Sequence, residues 1–402
     1  MEPGATVWTC HFDFADALEF DPQLRRLMTQ EPVSRVRMPY GEGDAWLVTG
    51  YEDVRTVTTD RRFSRDAVAG LDYPRVTPEP NLQAGPISLM DPPAGGRLRR
   101  LIAKGFAPRR VEGMRERAQH VVDGLFDAME AHGSPADLVD HVSAPLPLAV
   151  ICEVFGIPEA ERALLCSRVG AMTRTGPSGR EEAQRAAAEL RAYFGALAAE
   201  RRAGPGEDLI SALAQARDGD EVLDDQELAG VAVLLLVTGQ DPTSYELVNI
   251  AYTLLSRPEL YARLRERPET LAQALEEFLR FIPFRKEGVG IPRVAVEDVV
   301  LSGVRIRAGD VVHVSYLTAN RDAGKFRRPD ELDLGRPKPA HMTFGWGSHH
   351  CLGAPLAAME LQVAFGTLIK RFPGLRLAVP AERVPWNTNS IWRHPLELPV
   401  VW

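Results

Sequence analysis

FGWGSHHCLG, residues Phe344–Gly353, gathers one cysteine, two histidines and three glycines into ten positions. Cys351 is open to four readings there: a buried thiol, a zinc ligand beside His349 and His350, a nucleophile, or an iron ligand. The run that follows, APLAAMELQVAFGTLIKRF, has the period of a helix and is stopped by Pro373 and Gly374. Cys351 therefore stands at a helix start, where free backbone N–H groups and the helix dipole favour a thiolate. Gly345 and Gly347 permit positive φ and close backbone approach, and Gly353 leaves the next turn without a side chain. Such a loop could hold a sulfur beneath a flat ligand. Haem iron asks for a single axial thiolate, whereas structural zinc asks for four ligands. No second ligand cluster accompanies His341, His349 and His350.

The bulk of the chain narrows the setting. Its 402 residues are 45% hydrophobic and 25% charged, the balance of a globular protein with ample core. A net charge of −8 gives no electrostatic support to nucleic-acid binding. Cys10, Cys152, Cys166 and Cys351 show no paired spacing, which argues against a disulfide framework and fits a reducing cytoplasm. Cys152 and Cys166, in AVICEVFGI and RALLCSRV, are expected as core thiols. The N-terminus carries acidic residues where a signal peptide needs a basic start. The longest apolar run, Ala229–Gly239, is too short to span a bilayer. A soluble, cytoplasmic protein without membrane contact is expected.

Working outward along the chain, VSRVRM and AWLVTG read as strands, and residues 67–93 form a Pro- and Gly-rich irregular segment. A helical tract runs from Arg97 to about Ala203, with breaks near Gly133 and Arg174. The pattern from Asp224 to about Arg257 predicts one very long helix, acidic at its start and ended by Pro258. It is apolar all round in its middle, so it should cross the centre of the molecule. PETLAQALEEFLRF predicts a further helix, and VAVEDVVLSGVRIRAGDVVHVSYL two or three short strands with a turn at Ser302-Gly303. The expectation is a single domain over residues 1–402, mainly α with a minor β-sheet portion.

Phe344-Gly345-x-Gly347-x-His349-x-Cys351-Leu352-Gly353 resembles the haem-ligand loop of the cytochromes P450 at every signature position. Further segments resemble that family in order. Glu277-x-x-Arg280 is similar to its ExxR helix, and FRRPDELDLGR to the meander that would make Arg336 a third member of that charge cluster. DPPAGGRLRRLIAKGFAPRRV, PRVAVEDVVLSGVRIRAGDVV and ANRD match the family as well. The resemblance covers roughly residues 45–402 and implies a soluble, bacterial-type enzyme with a long helix crossing over the haem. It implies Cys351 as the metal ligand, with Arg99, Arg293 and His349 pairing the haem propionates. Phe344, Gly345 and Gly353 would shape the cofactor loop around the sulfur. It further implies b-type haem, since no CxxCH is present to attach a porphyrin covalently. Electrons would come from separate partners, a ferredoxin and a ferredoxin reductase, acting on a monomer. A non-catalytic haem-binding or gas-sensing protein is the competing class.

The chain departs from the family pattern twice. After Asp91-Pro92-Pro93 the usual histidine is Gly95, which offers no side chain to a propionate. In TGQDPTS, Gly239 and Asp241 match the family's central-helix pattern, but Pro242 replaces the threonine that helps deliver protons to dioxygen. Pro242 has no hydroxyl and no N–H for the Thr238 carbonyl, so a bend is expected there. Thr238, one turn back, is the better candidate to hold a water; Thr243 lies about 100° round the helix. Three explanations stand open: oxygen insertion with a water or substrate group replacing the alcohol, radical C–C or C–N coupling of an aromatic substrate, or direct use of peroxide. The retained Asp241 weakens the last, because peroxide-using relatives pair their proline with an arginine.

By alignment, Ile87, Leu234, Val237, Val289, Asn389 and Ile391 should contact the substrate, with Thr238, Gly239, Asp241 and Pro242 at the reacting end. Tyr73, Arg75 and Gln83 add polarity to the expected lid, and Asn387, Asn389 and Ser390 could bind amides. An aromatic or peptide-like natural product suits such a pocket, a tryptophan-containing cyclic dipeptide being one specific instance. Arg97, Arg100, Lys104, Arg109 and Arg110 could form a basic face for an acidic electron donor.

Overall fold

Asp224 starts the helix that organises the molecule. Its carboxylate accepts the Glu227 N–H at 2.7 Å, and Glu227 returns a bond from the Asp224 N–H at 3.0 Å, a reciprocal cap. From there Asp225–Leu255 runs helical without a break, Pro242 included. Leu228, Val231, Leu236, Leu247, Ile250 and Leu254 bury it on several sides, as its all-round apolar sequence predicts. Helices Pro145–Val154, Arg180–Ala203 and Ala354–Arg371 pack against it.

The computed structural model describes residues 6–9, 17–77, 85–172, 180–285, 289–337, 339–388 and 391–402. The expected helical tract consists of Ala94–Ala103, Pro108–His132, Pro145–Val154, Glu159–Met172 and Arg180–Ala203. Gly133, at φ +90°, ends the second of these where the sequence breaks; the second expected break, at Arg174, lies outside the described residues. Cys152 is buried, whereas Cys166 is only half-buried against the same core.

The sheet portion is richer than expected. Four strands, not two or three, lie within residues 293–314: Arg293–Ala295, Val299–Leu301, Val304–Ile306 and Val311–Val314. Ser302 and Gly303, at φ +46° and +81°, make the tight turn between the middle two. The main sheet has six strands, ordered Val7–Thr9, Val33–Arg37, Ala45–Val48, Val311–Val314, Arg293–Ala295 and Phe63–Ser64. Val311–Val314 pairs parallel to Ala45–Val48, residues far apart in sequence, which joins the two halves of the sheet.

The support beneath the cysteine loop is a buried charge cluster. Glu277 and Arg280, both wholly buried, share two bonds of 2.8 Å, and Arg336 reaches the same carboxylate at 2.9 Å. Arg280 also donates to the Asn320 and Pro329 carbonyls at 2.8 and 2.9 Å. Asn320 in turn accepts the Met342 N–H at 2.6 Å and donates to Thr343 Oγ1 at 2.9 Å. The helix charges thus fix the residues that lead into Phe344. Among the described residues no helix is long and apolar enough to cross a membrane.

Candidate active site

The cysteine loop is drawn by its glycines. Gly345 and Gly347 stand at φ +75° and +71°, and a Cβ on Gly347 would overlap the Thr58 carbonyl. The chain then turns back so that the Cys351 N–H donates to the Phe344 carbonyl at 2.8 Å. The N–H groups of Gly353 and Ala354 point at the Cys351 sulfur as the helix Ala354–Arg371 begins. Although Cys351 is exposed to the cavity, the protein packed around it pushes the thiol up, against those N–H groups and the nearby Arg99 charge. His341 lies 3.3 Å from Glu276, and among the described residues no three His, Cys, Asp or Glu side chains are grouped to hold a metal ion, as a zinc set would need.

Cys351 opens onto a cavity of about 480 Å³ whose opposite wall is the central helix. Of the sequence-predicted residues, Leu234, Val237, Thr238, Gly239, Asp241 and Pro242 line it from that helix. Ile87, Arg99, Phe344, Gly345, His349 and Gly353 join them from other elements. Val289 and Ile391 are not in the lining. Val289 is buried with Leu24 and Leu317, and Gly290 and Ile291 face the cavity instead. Trp392 takes the place expected of Ile391, the alternation of an extended chain shifting the inward position by one. Asn389, with Gln83 and Ser390, lies outside the described residues. A hollow of about 660 Å³ elsewhere, beside Arg117, His120 and Glu153, contains Arg110 of the expected basic face but none of the residues predicted for catalysis, cofactor or substrate.

Arg65, Arg99 and His349 line this cavity, and Arg293, predicted with them, is absent from the lining but acts on both Arg65 and His349 from close by. Arg293 is buried, and neither terminal guanidinium nitrogen has a hydrogen-bond partner. Both ring nitrogens of His349 are likewise unpartnered, with Asp91 no nearer than 3.8 Å. Sequence reasoning missed Arg65. Ser64 pairs with Val294 across the sheet, so the antiparallel register sets Arg65 opposite Arg293. Like charges placed so repel unless an anion lies between them. Arg65 donates to the Ser88 carbonyl at 2.9 Å, but its Nε is unpartnered, and burial and Arg293 push it down to about 9. Burial and the same arginines also push His349 far down, keeping it neutral. Of Arg65, Asp91 accepts only the backbone N–H, so buried guanidinium groups that no carboxylate among the described residues hydrogen-bonds, with a neutral His349 beside them, would suit the two propionates of a haem held at Cys351. Nothing in RFSRD marks Arg65 in sequence; only strand pairing does.

Gly95 has a local reason. A Cβ there would overlap the Met90 carbonyl oxygen, so no histidine can stand at that position on this backbone. Arg99 donates to the His350 carbonyl, tying its helix to the cysteine loop. The expected basic face is largely spent. Arg97 pairs with Glu221 and, at 2.6 Å, with Glu227; Arg100 pairs with Asp218 at 2.7 Å, and Lys104 is 3.8 Å from that carboxylate.

At the distal wall, Thr238 Oγ1 donates to the Leu234 carbonyl at 2.7 Å and keeps its lone pairs for a further donor. Asp241 is pushed up by burial, against a bond from Tyr245. Tyr245 stacks on His394 at 3.9 Å, and Phe284 stacks on Trp392 at 5.3 Å. Arg285 lies 4.8 Å above the Trp392 ring. Phe284, Arg285 and Trp392 all line the cavity, which gives one wall a flat aromatic character. Of the expected polar lid residues that are described, Tyr73, Arg75 and Asn387 are absent from the lining, and Asn387 bonds to His394 at 3.0 Å.

A family profile described as Cytochrome P450 matches residues 179–390. Nocardicin C N-oxygenase of Nocardia uniformis subsp. tsuyamanensis is 48% identical, over 98% of this chain and 99% of its own. Biflaviolin synthase of Streptomyces coelicolor is 43% identical, over 96% of this chain and 94% of its own. A crystal structure of a cytochrome P450mel with biaryl coupling reactivity superposes at a TM-score of 0.90 and 68% identity, over 99% of this chain and 100% of that one.

Proposed function

This chain belongs to the cytochrome P450 family, and from that premise we propose that it is a haem-thiolate enzyme that oxidatively couples electron-rich aromatic rings of a small natural product. The wall of stacked rings formed by Phe284 and Trp392 in the cavity that holds Cys351 carries this reading. The similarity to a structure with biaryl coupling reactivity supports it. In this reading Cys351 ligates the iron, Arg65, Arg99, Arg293 and His349 hold the propionates, and Phe344 packs beside the sulfur. Bound haem supplies the one-electron oxidising power, drawn from dioxygen and two delivered electrons. The donors are a ferredoxin and its reductase, acting on a cytoplasmic monomer.

The chain's own residues orient the rings and manage protons. Phe284 and Trp392 present flat faces for offset stacking, and Arg285 adds a cation suited to a phenolate edge. Leu234, Val237 and Ile87 keep water from the ring faces. Each coupling removes one hydrogen from each of two rings and forms one carbon–carbon bond, so no oxygen atom enters the product. The phenolic class is therefore preferred, and a tryptophan-containing cyclic dipeptide is the second candidate.

The first test is the carbon monoxide difference spectrum of the reduced protein, which should show the thiolate band; its absence from folded, haem-loaded protein would sink the reading. Turnover with a ferredoxin system under isotopically labelled dioxygen then separates the chemistries. A dimeric product free of label is expected. Label in a monomeric product would instead place this enzyme with oxygen-inserting relatives such as nocardicin C N-oxygenase.

A further inference from the structure

Pro242 leaves the central helix without the alcohol that the family pattern would place there, yet the same face of the helix carries another proton-bearing group. Thr238, Pro242 and Glu246 follow one another at intervals of four residues, so they form one stripe along the cavity wall. Glu246 lines the cavity and is only 4% exposed, and neither carboxyl oxygen has a hydrogen-bond partner. Among the described residues no cation compensates it, and burial alone pushes it well up, which favours the form that holds its proton. Glu360, from the facing helix Ala354–Arg371, is buried in the same lining, with its Oε2 unpartnered. Asp241, on the same helix, is bonded to Tyr245.

An unpartnered carboxyl at that depth is costly, and a well-packed leucine would be cheaper. Positions that break packing rules in this way are characteristic of functional sites. The cavity beside it is roomy, and polar groups suited to water converge there. The Thr238 carbonyl receives no N–H from Pro242, and Thr238 Oγ1 has lone pairs to offer.

We propose that Glu246 is a proton-relay residue of the distal cavity, holding water across the notch at Pro242 and handing its proton through that water to dioxygen under reduction. The carboxyl O–H gives its proton to the water, which passes one on. The carboxylate left behind takes a proton back from solvent water entering the cavity, because a bare charge is not sustained at that depth. Electrons come only from the ferredoxin named above. The inference rests on the haem-thiolate reading, whose failure would show separately as a missing thiolate band in the wild type.

Two measurements test it. In infrared spectra of the wild-type holoenzyme near neutral pH, a protonated-carboxyl band should be present, shift on transfer to heavy water, and vanish in Glu246→Gln. In that variant, with its thiolate spectrum and substrate-induced spin shift intact, productive turnover should fall about a hundredfold, the low end for a positioned proton donor. Electrons should then be diverted to peroxide, and the solvent isotope effect on oxygen consumption should rise. Glu246→Asp should recover part of the coupling. Should Glu246→Gln fail to fold, the band is assigned by its shift in Glu246→Asp, and a Glu246 band that heavy water leaves unchanged marks a dry structural acid and overturns the proposal. Unchanged coupling in a folded Glu246→Gln protein overturns it equally.

Discussion

Gly95 and Arg65 mark what single residues tell and conceal. The sequence reveals that Gly95 replaces a histidine; it does not reveal that the Met90 carbonyl occupies the space of any Cβ. Gly95→Ala must move a helix start or a backbone carbonyl, a form of overpacking that costs about 1–3 kcal/mol. The expected outcome is a lower melting temperature, with weaker haem retention because Arg99 rides on the same helix. Gly96→Ala is the control, since a Cβ there meets nothing closer than 3.5 Å and should be neutral or slightly stabilising. Arg65 is the opposite case. Its proximity to Arg293 arises from strand register, Ser64 opposite Val294, and register between segments more than two hundred residues apart is not written in either segment. The motif-bearing residues Cys351, Gly345 and Gly347 were legible because backbone geometry demands those types; Val289 and Ile391 were misplaced because an extended chain shifts sides with every residue.

At the scale of elements, the central helix was legible at both ends: Asp224 and Glu227 form its cap, and Pro258 opens the next helix. Its interior was not, because a helix apolar all round gives no clue to which face meets the cavity. The strands after Pro292 were recognisable by alternation, but their pairing partners were not. His313, in Val311–Val314, shows what that pairing produces. The strand lies between Ala45–Val48 and Arg293–Ala295, and Nε2 of the buried imidazole donates to the Pro74 carbonyl at 2.9 Å. Burial pushes His313 down to about 4, from an ordinary value of 6.5. Its folded value is thus below its unfolded one, so the unfolded chain takes up the proton first as pH falls. The stability this neutral ring contributes is whole above about pH 6.5 and is lost as pH drops towards 4, by about 3 kcal/mol. Glutamine keeps a donor and cannot titrate. His313→Gln should therefore flatten the acid side of the melting-temperature profile between those values, while leaving a parallel curve above pH 7. An unchanged acid limb would mean that the ring is protonated in the folded protein.

Across the whole molecule, the charge cluster beneath the loop joins segments that share no secondary structure. Glu277 accepts from Arg280, from Arg336 and from the Asp333 N–H at 2.9 Å, so one carboxylate ties the helix Leu271–Phe281 to the meander. Through Arg280 and Asn320 the same network reaches Met342 and Thr343, just before the cysteine loop. Charge is what holds it. Glu277→Gln preserves shape but leaves two arginines facing a neutral amide, and Arg280 has no solvent to turn to. Breaking a buried pair in this way costs about 3–5 kcal/mol, because the remaining charge is uncompensated. An exposed pair behaves differently: Arg55 and Glu52 meet at 3.1 Å with both side chains more than half exposed, and Arg55→Ala should cost less than about 0.5 kcal/mol. The two variants, each compared with wild type by thermal unfolding and by haem bound per chain, separate a scaffold from surface decoration. Glu277→Gln should lose both stability and haem together, since the loop that presents Cys351 is positioned by the atoms that the cluster holds. If haem content survives a full loss of the expected stability, the loop is held by its own glycine geometry and not by the cluster.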